Sequence, residues 1–126
     1  MTLERKKIQL TSVMNNMRQQ KNHILFAVAT AGLAEGIDFK DDLCRLLLVV
    51  GVPYPNIGDA YIKERQKLDS RYCTEKAIRA VNQCAGRAIR WAGDWAKIVF
   101  IDKRWATLRQ YLSKWILEGQ VKIDEW

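Results

Sequence analysis

Apolar positions along the chain form two kinds of pattern. Short unbroken runs at residues 24–29, 46–50 and 98–101 suit strands buried on both faces of a sheet. Elsewhere the apolar residues recur at helical spacing. Leu3, Leu10, Val13, Met14 and Met17 predict a helix over residues 3–20, with Thr2 available as its cap. Asp59 can cap a helix reaching about Lys67, and Thr74 a longer one reaching about Trp91. Trp105, Leu108, Leu112, Trp115 and Ile116 mark a final amphipathic helix, with both of these tryptophans in the core. Residues 30–44 and 52–58 read as loops, the second because Pro53, Pro55 and Gly58 deny it a ladder. Strands separated by helices predict an α/β fold, a parallel sheet with flanking helices on both faces. Three strands are few for such a sheet, so the expectation is one domain over residues 1–126, incomplete at an edge.

Composition and charge narrow the function. Apolar residues at 48% and charged residues at 28% exclude wholesale disorder. The longest apolar run is far short of the roughly 18 residues needed to cross a bilayer. No apolar stretch follows Glu4, Arg5, Lys6 and Lys7, so a secretory signal is not visible and an intracellular protein without membrane partners is expected. Twenty-one Lys and Arg against fourteen Asp and Glu give a net charge of +7. A surplus of that size favours polyanionic partners such as nucleic acid or bound phosphate. Cys44, Cys73 and Cys84 form no C-x-x-C pair, and with the single His23 they make no zinc set, so reduced thiols and no metal are expected.

The predicted helix from Thr74 carries the most chemistry. At about 100° per residue, Arg79, Gln83, Gly86, Arg87 and Arg90 fall on one stripe, and Ile78, Val81, Ala85, Ala88 and Ile89 on the opposite face. Gly86 stands inside the polar stripe at a helix cost of about 1 kcal/mol relative to Ala. A position without a side chain, flanked by arginines, lets a large group or another backbone come close. The plain alternative is a solvated basic face. The chemical reading is an arginine pair offered to a phosphate, because guanidinium binds phosphate oxygens in a bidentate fork and keeps its charge. Residues 35–39 (Glu-Gly-Ile-Asp-Phe) follow the first predicted strand, where ligands gather at the carboxyl ends of a parallel sheet.

Other machinery is missing from the sequence. It holds no G-x-x-x-x-G-K-[ST] loop and no Asp-Glu pair after a strand to hold magnesium. His23 precedes an apolar run and reads as a strand-edge residue, and no Ser or Cys has a His partner in sequence context. Trp91 and Trp95 flank a turn and are the candidates for base stacking.

Three segments occur together and in order: Glu35-Gly36-Ile37-Asp38-Phe39, Gly51-Val52-Pro53-Tyr54-Pro55, and Gln83-Cys84-Ala85-Gly86-Arg87-Ala88-Ile89-Arg90. Asp94, the apolar run at 98–101 and Asp102-Lys103-Arg104 follow them. In this the chain resembles, over roughly residues 8–117, the C-terminal motor domain of iron–sulfur DNA helicases of the xeroderma pigmentosum group D type, in superfamily 2. The resemblance implies a second RecA-like domain, here without its N-terminal edge, that closes over ATP and Mg2+ held mainly by a first motor domain. That first domain brings the phosphate loop, from another chain or from upstream sequence. Arg87 and Arg90 become arginine fingers, Gln83 and Gly86 line the ATP side, and Glu35, Gly36 and Asp38 belong to a loop coupling nucleotide to single-stranded DNA. Gly32 and Tyr54 are then DNA-side residues. Where the family usually shows Gly, a basic residue, an apolar residue and Ser, this chain has Ala31, Gly32, Leu33 and Ala34.

The function implied is the C-terminal part of an ATP-dependent 5′-3′ DNA helicase of repair type, hydrolysing ATP only in a complete motor. It would be nuclear in a eukaryote and cytoplasmic in an archaeon or bacterium. No iron–sulfur cluster is expected in this chain. The alternatives are a non-catalytic fragment or interaction module derived from such a helicase, and a basic nucleic-acid binder indifferent to ATP.

Overall fold

The computed structural model describes residues 3–20, 22–30, 39 and 41–119. Helix α1 spans Leu3–Gln19, and Asn22 beyond it adopts a left-handed φ of 64°. A 3-10 turn at Asp41–Leu43 leads into strand β1, Leu46–Val50. Helices α2, Ala60–Leu68, and α3, Tyr72–Ala88, form the crossover to strand β2, Lys97–Ile101. Helix α4, Trp105–Leu108, a 3-10 turn at Arg109–Tyr111 and helix α5, Lys114–Glu118, follow. The two strands pair in parallel, Leu46 opposite Lys97 and Val50 opposite Ile101. A parallel pair needs a crossover of about a dozen residues or more, and the two helices supply it.

The core lies between one face of this sheet and α3. Val49, Ile78, Val81, Ala85, Trp105, Leu112 and Ile116 are buried together, and Leu47, Val52, Ile98, Phe100 and Leu108 pack against them. The Trp105 ring tilts against Phe100 at 4.8 Å, and its indole N–H donates to Gly51 O at 3.1 Å. Gly51 itself has a φ of +76°, a left-handed conformation that a side chain would strain. The parallel sheet with flanking helices is the expected class.

Four expectations need correcting. Residues 24–29 form no strand. Ile24, Phe26 and Val28 are exposed at 82%, 88% and 67%, and His23 Nδ1 lies 3.2 Å from Gln20 O, beside the end of α1 instead of at a strand edge. An apolar run of this length specifies burial but not a ladder partner, and β1 bonds to β2 alone among the described residues.

Among the described residues β1 is also covered on one face only. Leu46, Leu48 and Val50 alternate with the inward residues and stay exposed, the period-2 signature of a half-buried sheet. The last helix is broken. Asn82 Oδ1 accepts the Ser113 N–H at 3.1 Å, so that amide cannot continue the helical ladder, and Leu112 turns extended. Trp115 is consequently 43% exposed while Trp105 is at 4%. Finally, Thr74 caps nothing: α3 begins at Tyr72, where Asp69 Oδ1 accepts the Arg71 N–H at 2.9 Å. Asp59, by contrast, caps α2 as expected, accepting from the Tyr61 and Ile62 amides.

Candidate functional site

Helix α3 owes its orientation to one apolar face. Ala77, Ile78, Val81, Ala85 and Ala88 are buried at 7% or less, which leaves Arg79 and Gln83 exposed and Arg87 half-buried on the other side. Gly86 lies between them, and outside its own helix backbone no atom of the described residues lies within 4 Å of where a Cβ would stand. The polar stripe expected for this helix is therefore present from Arg79 to Arg87.

Arg90 departs from that expectation. The helix ends at Ala88, three residues before the predicted limit, and Ile89 is extended with a ψ of 109°. The cause lies outside the helix. Asp94 Oδ2 accepts the Arg90 backbone N–H at 3.2 Å, and Asp94 Oδ1 accepts the Trp95 N–H at 2.9 Å. Arg45, the residue before β1, donates from Nη1 to Asp94 Oδ1 at 2.9 Å and to Trp95 O at 2.6 Å. Its other terminal nitrogen donates to Asp42 Oδ1 at 2.6 Å, and its guanidinium stands 4.6 Å from the Trp95 ring. The Asp94 side chain is 1% accessible. The Arg45 guanidinium, joined by the Arg90 and Trp95 amides, holds this carboxyl below its ordinary range, desolvation opposing only in part. Arg90 thus leaves the helix through a pinned turn, its guanidinium returning to Gly86 O at 3.4 Å.

Trp91 and Trp95 flank this turn and are 59% and 62% exposed. The Trp91 ring lies over Gly93, so a Cβ there would come within 2.0 Å of it. Two exposed indoles suit stacking, although Trp95 already stacks with Arg45.

Tyr54 belongs to the other end of the sheet. The chain leaves β1 through Gly51, whose N–H donates to Ile101 O at 3.0 Å, and the Tyr54 N–H donates to Val52 O at 2.7 Å. Arg104 stands 5.5 Å from the Tyr54 ring and clamps Asp102 with Nε and Nη2, at 2.9 and 2.6 Å. That clamp holds the Asp102 carboxyl down at about 2. Because the strands are parallel, the Arg90 turn sits at their amino ends and Tyr54 at their carboxyl ends, separated by a five-residue strand, on the order of 15 Å. The structure therefore brings Gln83, Gly86, Arg87 and Arg90 together and keeps Tyr54 apart from them. Gly32, Glu35, Gly36 and Asp38 lie outside the described residues.

In the sequence Asp94 shows only as part of a pattern, and nothing there marks Arg45. The pair spans 49 positions, so no local periodicity reveals it. Cys44, Cys73 and Cys84 form no disulfide with one another, and burial pushes the Cys44 thiol up from its ordinary value. Among the described residues no group of three or more His, Cys, Asp or Glu could hold a metal ion, and no helix is long and apolar enough to cross a membrane.

Comparison with known proteins gives the family of the chain. Residues 2–119 match the helicase C-terminal domain. The chain is 32% identical over 130 residues to the ATP-dependent DNA helicase CHL1 of Saccharomyces cerevisiae, covering 87% of this chain and 15% of that protein. It is 39% identical over 117 residues to ATP-dependent DNA helicase chl-1 of Caenorhabditis elegans, covering 84% and 14%. It is also 39% identical over 113 residues to ATP-dependent DNA helicase DDX11 of Danio rerio, covering 77% and 13%. The chain thus spans about one-seventh of the length of these relatives.

Proposed function

Since this chain belongs to the helicase C-terminal domain family, we propose that it is the second motor half of an ATP-dependent DNA helicase. In this reading it lends Arg87 and Arg90 to ATP bound against a partner motor domain that carries the phosphate loop. The observation that carries the reading is the end of α3, where Arg87 stands in the last turn and Arg90 follows in a turn pinned by Asp94. Two guanidiniums beside a glycine, which adds no side chain of its own, suit the crowded oxygens of a transferring phosphate.

The residues present fit the phosphate end of ATP. They do not fit its metal ion, for which the described part of the chain offers no ligand cluster. Mg2+ is assigned to the partner domain. When bound there it would supply positive charge that offsets the charge on the phosphate. Arg87 and Arg90 would bind the γ-phosphate oxygens with bidentate forks and keep their charge throughout. Gln83, one turn earlier on the same exposed face, would orient the attacking water or the phosphate. Glu35, Gly36 and Asp38 complete the nucleotide side in this reading. Gly32 and Tyr54 face single-stranded DNA, and repair-type 5′-3′ translocation, nuclear in a eukaryotic cell, is the work of the complete motor.

The test mixes this chain with a phosphate-loop-bearing motor domain and single-stranded DNA. ATP hydrolysis should rise above that of the motor domain alone. Arg87→Ala or Arg90→Ala should remove that gain, by roughly 10³-fold or more in rate for a true finger. Variants that stimulate as well as the parent chain would exclude the finger role. No gain from the parent chain would favour a non-catalytic, helicase-derived module.

A further inference from the structure

The Asp94 carboxylate is enclosed, with 1% of its side chain accessible, and receives N–H donors from three places in the chain. Arg45 and the Trp95 amide donate to Oδ1, each at 2.9 Å, and the Arg90 amide to Oδ2 at 3.2 Å. A carboxylate so enclosed is tolerated only with such partners. None of the three bonds belongs to a helix or to the sheet. Together they fix the point at which the chain leaves α3.

Arg45 is itself immobilised. It bonds Asp42 and Trp95 O as well as Asp94, and stacks on the Trp95 ring. Because Arg45 directly precedes β1, its position is set by the start of the sheet. The direction of Arg90 is therefore referenced to the sheet and not only to the frayed end of a helix.

From this we infer that Asp94, backed by Arg45, is a positioning residue for the arginine pair. It sets the direction in which Arg90 leaves α3, and so where that guanidinium meets a phosphate across the cleft. The inference rests on the proposed in-trans role of Arg87 and Arg90. It adds two residues that touch no nucleotide.

A double-mutant cycle tests it, using the chain bound to a phosphate-loop-bearing motor domain with single-stranded DNA, and reading kcat and KM for ATP. Asp94→Asn should lower kcat by about 10- to 100-fold, the cost of a misplacement of about 1 Å. KM should stay within about twofold, because the group acts on the transition state and not on ground-state binding. In an Arg90→Ala background Asp94→Asn should cost nothing further. Losses that multiply in the double variant would overturn the inference, as would a raised KM at unchanged kcat.

Failure of the in-trans reading looks different, since Arg90→Ala would then leave kcat unaltered, and the inference would fall with it. If Asp94→Asn does not fold, Arg45→Lys runs the same cycle, keeping the charge but losing the fork. In 15N-labelled chain the Arg90 amide resonance should follow the Asp94 carboxyl titration. An Arg90 amide that does not respond to that titration refutes the geometry whatever the kinetics give.

Discussion

Beyond its own helix backbone, an alanine at position 86 would meet no atom of the described residues within 4 Å, so no packing among them requires the glycine there. Glycine inside a helix nevertheless costs about 0.5–1 kcal/mol relative to alanine. A residue that weakens its own helix without a packing reason is explained by what must approach it. Gly86→Ala should therefore stabilise the chain by about 0.5–1 kcal/mol in urea unfolding. The same change should lower the ATPase gain of the two-domain mixture by on the order of tenfold. Stabilisation with the gain intact would remove the reason for a glycine at that place. This split was legible in the sequence, because helical spacing alone puts Gly86 among Arg79, Gln83 and Arg87. Arg90 was not legible in the same way, since the bond that ends the helix before it comes from Asp94.

Two carboxylate clamps tie elements together, one at each end of the sheet. Asp94 joins the start of β1 to the exit of α3, and Asp102 with Arg104 shapes the exit of β2 beneath Tyr54. Each carboxyl is held below its ordinary value of 3.8 by its arginine first and by backbone amides next, Asp102 to about 2. The folded chain thus binds these protons more weakly than the unfolded chain does. The stabilisation is present above the unfolded value and is lost as pH falls from about 4 towards about 2. Unfolding by urea at pH 5 and at pH 2.5 should show that loss, and Asp102→Asn should make it shallower.

The elements so tied were unevenly readable. The apolar stripe of α3 and the runs that became β1 and β2 follow from spacing, but the break at Leu112 depends on Asn82, 31 positions before Ser113. Residues 24–29 have the composition of a strand and none of its pairing. Composition can state that such a run should be buried, whereas only a partner decides how.

For the whole molecule the consequence is apolar surface facing water. Ile24, Phe26 and Val28, and on the sheet Leu46, Leu48 and Val50, are each at least half exposed. Patches of this kind mark interfaces or drive association. The chain alone should sediment as a concentration-dependent mixture of species in spite of its net charge of +7. Phe26→Lys combined with Leu48→Lys should raise the monomer fraction, and a monodisperse parent chain at high concentration would contradict the expectation.

The pairing of the sheet also sets a timetable. Every β1 residue meets a β2 residue 51 positions later, from Leu46 with Lys97 to Val50 with Ile101. A ribosome adding about 5–20 residues per second therefore leaves β1 without its neighbour for roughly 3 to 10 s. Throughout that interval Leu-Leu-Leu-Val-Val is a nascent segment without its β2 neighbour, its apolar side chains open to a chaperone.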